Sequence, residues 1–207
     1  MNRLLLYFHR KSREQKHRIF QSRLRPTSAM RILNVGATGA HLGLAEQFES
    51  FYEHRARIVG GGICFAEAED YRSSFPGVEA VVFDGCALPF PDKSFDIVYS
   101  NAVLEHLPTP EHVERFATEV QRVGKGWFVT TPNFWYPIEP HYHLPYVQFL
   151  PEESQRKLVK VLGKVPYDNL RLLTRGEMRR LFKEGEVIAS RVTFYPETLI
   201  AYRAPSA

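Results

Sequence analysis

The stretch FDGCALPFPDKSFDIVYSNAVLEHLP, residues 83–108, decides how the rest of the chain is read. Within it, 96–100 (DIVYS) is a short apolar run introduced by the turn-forming Pro91-Asp92-Lys93-Ser94, the pattern of a buried strand. An earlier run, 80–83, stops at Asp84. Just downstream, Thr109 and Pro110 supply a cap and a first helical residue. Val113, Phe116, Ala117, Val120 and Val123 then trace one apolar helix face, which Gly124 closes. Strand, turn and helix therefore follow one another within about forty residues, and the flanks repeat the unit.

Upstream, 31–35 (RILNV) is an apolar run ending at a glycine turn, and Leu42, Ala45, Phe48 and Tyr52 recur at helical spacing after it. A second strand over 56–59 is expected to stop at Gly60-Gly61-Gly62, before a helix over about 65–73. Downstream, 127–130 reads as a fifth strand, and Thr174-Arg175-Gly176-Glu177 fits a capping box ahead of Met178, Leu181 and Phe182. Strands at about 187–194 and 198–203 finish the chain. Their connection is too short for a parallel crossover, so the last strand is expected to run antiparallel. The fold class is α/β: a doubly wound sheet of about seven mostly parallel strands with helices on both faces. Ligands of such sheets sit beyond the carboxyl ends of the strands, here 34–40, 60–62, 84–86, 100–101 and 131–133.

The 207 residues and 23.9 kDa suit one domain, residues 30–207, preceded by an arm, residues 1–29. With 44% hydrophobic and 24% charged residues, the composition excludes collagenous, low-complexity and disordered chains. Two cysteines, Cys64 and Cys86, cannot build a disulfide framework or a four-cysteine zinc site, which points to the reducing cytoplasm. The net charge of +4 is uneven: residues 1–31 hold nine Lys or Arg against Glu14, which leaves the body acidic. The arm's apolar run Leu4-Leu5-Leu6-Tyr7-Phe8 is too short for a membrane span or a secretory signal. Two uses suggest themselves: packing one apolar face on the body, or docking at an anionic lipid surface as a peripheral helix. Specific nucleic-acid binding is not expected of it.

Taken together, ILNVGATGAHLG (32–43), the 83–108 block and GKGWFVTTPN (124–133) resemble the class I S-adenosylmethionine-dependent methyltransferases, a Rossmann-like family. The resemblance covers about residues 30–203, and TPNFWYPIEPHYHLPYVQFLP (131–151) is similar to one bacterial branch of it. It implies S-adenosylmethionine as cofactor, with the methionine part at Asn34, Gly36, Ala37 and Gly39. It places the ribose at the end of the second strand near Gly62, the adenine at Asp84, Gly85 and Cys86, and the sulfonium and methyl at Asn101 and Ala102. Two departures stand out. Asn34 replaces an acidic residue, with Thr38 and Ala40 where later glycines are usual. Gly60-Gly61-Gly62 stands where an acid usually binds both ribose hydroxyls, and Glu67 or Glu69 on the next helix is the candidate substitute.

The acceptor side is expected in the loop 132–150, with Tyr136, Glu139, His141, His143 and Tyr146 facing a small-molecule or glycan-type acceptor. For a hydroxyl acceptor, His106, His141 or His143 would take the proton, although His106 equally suits a capping or packing role. Glu139, His141 and His143 also have the residue types of a metal site, but the interleaved Pro137, Pro140 and Pro145 favour an ordered loop, and no metal is expected. A competing reading of the two departures is a methyltransferase fold that has become a non-catalytic partner or scaffold, or that runs different chemistry.

Overall fold

The computed structural model describes residues 3–39, 47–167 and 169–205. Its elements, in chain order, are α1 (Arg3–Leu24), β1 (Ile32–Val35), α2 (Phe48–Phe51), β2 (Ile58–Gly62), α3 (Phe65–Ser74), β3 (Glu79–Val82), β4 (Phe95–Asn101), α4 (Pro110–Val123) and β5 (Gly124–Pro132). A hairpin of β6 (Ile138–Glu139) and β7 (Leu144–Pro145), the helices α5 (Glu152–Val161) and α6 (Arg175–Leu181), and strands β8 (Glu186–Ser190) and β9 (Thr198–Arg203) complete it. Leu42 and Ala45, half of the expected helix after β1, lie outside the described residues.

One seven-stranded sheet runs in the order β3-β2-β1-β4-β5-β9-β8. All neighbours from β3 to β5 pair in parallel, and β9 pairs antiparallel with both β5 and β8. The order reverses between β1 and β4, which is where a doubly wound sheet opens a crevice for a ligand. Side chains alternate cleanly between the two faces. Leu33, Val35, Val98, Val129 and Leu199 join Val113, Phe116 and Val120 of α4 and Met178 of α6 in one core. Ile32, Ile58, Ile97, Phe128 and Ile200 join Phe20 and Leu24 of α1 and Tyr71 and Phe75 of α3 in the other. The alternation is the period-two geometry of strands covered on both sides.

The caps form as their residue types require. Thr109 accepts from the His112 amide with Pro110 at the first helical position, and Thr174 and Glu177 close a complete capping box on α6. Two expectations need correction. The second strand does not stop at Gly60; it runs through Gly62 and pairs with β3 over Val59–Gly62. The glycines serve packing rather than a turn: a Cβ on Gly60 would lie 2.4 Å from the Tyr71 hydroxyl, and one on Gly61 would lie 1.7 Å from the Val81 carbonyl. The strand expected to reach 194 ends at Ser190, because Glu197 turns back to accept from the Val192 amide and holds 191–197 as a loop.

The basic arm is a 22-residue helix, not a tail. Arg13, His17, Phe20 and Leu24 fall at near-helical spacing on one face. Phe20 and Leu24 are buried, and the Phe20 ring meets Phe48, Tyr52, Tyr99 and Phe128 edge to face. No helix among the described residues is long and apolar enough to cross a membrane.

Candidate active site

A cavity of about 510 Å³ opens beyond the carboxyl ends of β1 and β4, at the point where the strand order reverses. Asn34, Gly36, Ala37 and Thr38 of the turn after β1 line it, together with Tyr99, Asn101 and Ala102 at the end of β4 and Gln47, Phe48 and Glu49 at α2. Glu67 of α3 also lines it, as do His106 and Tyr167, whose rings are in contact. Arg13 and His17 of α1 complete the lining.

The glycine turn is held from within. Gly36 has φ +80°, a conformation that favours glycine, and a Cβ there would press to 2.2 Å from a Val103 methyl. The amides of Gly36 and Ala37 both donate to the Gly61 carbonyl, at 2.8 and 3.1 Å. These two residues therefore offer a ligand their shape rather than their N–H groups.

Asn34 is paired with a buried acid from another element. Glu49 of α2 is 1% exposed and accepts from Asn34 Nδ2 at 2.5 Å and from the Tyr71 hydroxyl at 2.7 Å. Burial raises its pKa above the usual carboxylate range, against the lowering effect of these donors. No periodicity marks Glu49 as part of a site; its role comes from α2 folding back onto β1. Of the two candidate substitutes for the ribose acid, Glu67 lines the cavity, whereas Glu69 is exposed and does not.

Asn101 and Ala102 sit where β4 ends. Asn101 Oδ1 accepts from Lys16 Nζ at 2.7 Å and from Thr130 Oγ1 at 2.8 Å, and Ala102 adopts φ +58°, rare for a side-chain-bearing residue. Desolvation lowers the Lys16 pKa to about 8, helped by Arg13 and opposed by Glu105 and Glu197. Sequence reasoning missed Lys16, Arg13 and His17; their shared face with Phe20 and Leu24 is the signal that marks them.

The expected adenine group lies off this cavity. Asp84 is exposed, and its Oδ1 accepts from the Cys86 amide at 2.8 Å, so that amide is already engaged and does not face a ligand. Cys86 Sγ points to the His112 carbonyl at 3.4 Å, and a Cβ on Gly85 would strike the Phe116 ring. Gly39 and Gly62 are also absent from the cavity wall; Gly39 packs against Asp70, and Gly62 lies over Gly36.

On the acceptor side the structure gathers some expected residues and separates others. Glu139 is 1% exposed; its Oε2 accepts from the amides of His141 and Tyr142, and its Oε1 meets His141 Nδ1 at 2.7 Å. The His141 ring lies edge-on to His106, with centroids 4.9 Å apart, and Tyr167 contacts both rings. Desolvation and the neighbouring His141 lower the His106 pKa to about 4, against the raising effect of Glu139. Glu105 is fully buried, and desolvation raises its pKa. His143 stands apart, exposed, with its ring beside His9 of α1. Tyr136 is tied by its hydroxyl to Thr193, and Tyr146 stacks on Phe149 at the surface; neither lines the cavity.

Residues 33–129 match the family model of a methyltransferase domain. Solved structures share the whole architecture. A Pyrococcus horikoshii protein aligns over 95% of this chain and 91% of its own, with TM-score 0.66 and 15% identity. A SAM-dependent methyltransferase of Thermotoga maritima aligns over 98% and 92%, with TM-score 0.57 and 16% identity. Residues 33–129 are thus similar to a methyltransferase domain, and the chain shares the fold of these solved structures. Uncharacterized proteins from two strains of Mycobacterium tuberculosis are 35% identical over 54 residues, a match that spans 26% of this chain and only 18% of theirs.

Proposed function

We propose that the protein transfers a methyl group from S-adenosylmethionine to a small-molecule or glycan-type acceptor carrying a hydroxyl or amine. The observation that carries this reading is the cavity itself. It lies at the switch in strand order and has the volume of a small-molecule site. Its wall combines the expected Asn34, Gly36, Ala37, Asn101 and Ala102 with carboxylates at two points. Glu49 with Asn34 would hold the ammonium of the methionine part, Glu67 the ribose hydroxyls, and Asn101 with Ala102 would flank the sulfonium. When bound, the cofactor supplies an electrophilic methyl carbon for in-line displacement by the acceptor's lone pair.

The chain's own task is alignment and exclusion of water. Arg13 and His17 on α1 line the cavity, Lys16 beside them bonds Asn101, and Tyr167 would wall the acceptor end. His106, with its pKa near 4, is neutral at physiological pH and a weak base, so it suits hydrogen bonding to the acceptor better than removal of its proton. Adenine contacts at Asp84 and Gly85 remain part of the reading as an extension of the site along the β3 side.

Hydrogen exchange with and without S-adenosylhomocysteine tests the placement. Slowed exchange at 34–38, at 99–106 and along α1 is expected. Protection confined to other segments, or none with the ligand in excess, would refute it.

A further inference from the structure

We propose that Glu105, His106 and His141 form a binding site for one first-row divalent cation, of the zinc or iron type, at the acceptor end of the cavity. Their ligand atoms all lie within 4.8 Å of one another. Ligands on one such ion, bonded at about 2.0–2.2 Å, sit up to about 4 Å apart, so small side-chain rotations complete the set. Two imidazoles and a carboxylate are the donor types that such ions prefer, with positions left open for an outside ligand.

Glu105 and His141 are each already held by an outer partner that leaves one atom for the ion. Glu105 Oε2 accepts from Thr131 Oγ1 at 2.9 Å, while Oε1 is buried with no hydrogen-bond partner among the described residues. A buried carboxylate oxygen left bare is costly, and a cation removes that cost. His141 Nδ1 is fixed by the Glu139 carboxylate at 2.7 Å, which leaves Nε2 as the donor, in the carboxylate–histidine arrangement common around metal-bound imidazoles. The His106 ring is packed against the rings of His141 and Tyr167.

This trio differs from the one the sequence spacing suggests. Glu139 spends both oxygens on His141 and Tyr142, and His143 turns away to His9, so only His141 is shared. His106 also lines the cavity beside Asn101 and Ala102. An acceptor oxygen on the ion would therefore lie next to the methyl, with its proton released to water on coordination. That use rests on the methyltransferase reading; the site itself rests on the side-chain geometry.

Titration of the purified protein with Co²⁺ alone, read by visible absorption and by calorimetry, tests the site. The expected result is one equivalent bound and displaced by Zn²⁺. Glu105→Gln and His141→Gln are each expected to weaken it by at least about tenfold, while His143→Gln leaves it unchanged. Thermal melts of each variant confirm that it is folded. Absence of binding by the wild-type protein at millimolar Co²⁺ overturns the proposal, as does binding that both ligand variants retain in full. No cofactor or acceptor enters this titration, so it succeeds or fails independently of methyl-donor binding.

Discussion

At the residue scale, the buried carboxylates carry the account. Glu49 is buried and accepts from Asn34, which stands where the resemblance expects an acid, and burial raises its pKa in the folded protein. A carboxyl raised above its unfolded value of 4.5 contributes stability that is fully present below that pH and lost as pH rises through the folded value. The neutral Glu49→Gln variant has no such dependence. The difference in melting temperature, wild type minus variant, should therefore increase as pH falls from 8 toward 4.5, and a constant difference would contradict the assignment. Glu67 is the other cavity carboxylate at the cofactor end. Removing one charged anchor costs about 1.5–3 kcal/mol, so Glu67→Ala should weaken S-adenosylhomocysteine binding by roughly one to two decades, whereas Glu69→Ala should not. The sequence left Glu67 and Glu69 open and was silent on Glu49, because neither assignment follows from spacing along the chain. Which carboxylate faces the cavity depends on the rotation of α3 and on α2 folding back over β1.

At the element scale, local chemistry was legible and long-range docking was not. The Thr174–Glu177 capping box and the Thr109-Pro110 start could be named in advance because each involves residues within one helical turn. Thr174→Ala should cost about 1 kcal/mol, read by chemical denaturation. The triple glycine misled for the complementary reason. Glycine marks turns locally, but here it admits Tyr71 and the β3 backbone to a continuous strand, a requirement set by elements ten and twenty residues away. Helix α1 is the largest gain from the structure. Its sequence left packing on the body or docking at lipid open; its face buries Phe20 among four aromatic rings and sets Lys16 on Asn101. Phe20→Ala should cost about 3–5 kcal/mol and loosen cofactor binding with it, because a helix that lines the cavity loses its anchor. Unchanged stability in a urea melt would contradict this packing.

At the scale of the whole molecule, the strand–helix alternation gave the sheet and the position of its ligand crevice, since both follow from periodicity and handed connections. The acceptor end was half legible. His106 and His141 were both named, but their meeting with Glu105 depends on a hairpin whose path no spacing rule predicts. The central claim is that the crevice binds the methyl donor despite the glycines where a ribose acid is usual. Calorimetric titration with S-adenosylhomocysteine tests it most directly. The account predicts saturable binding with a Kd on the order of micromolar; no binding at millimolar ligand would contradict it.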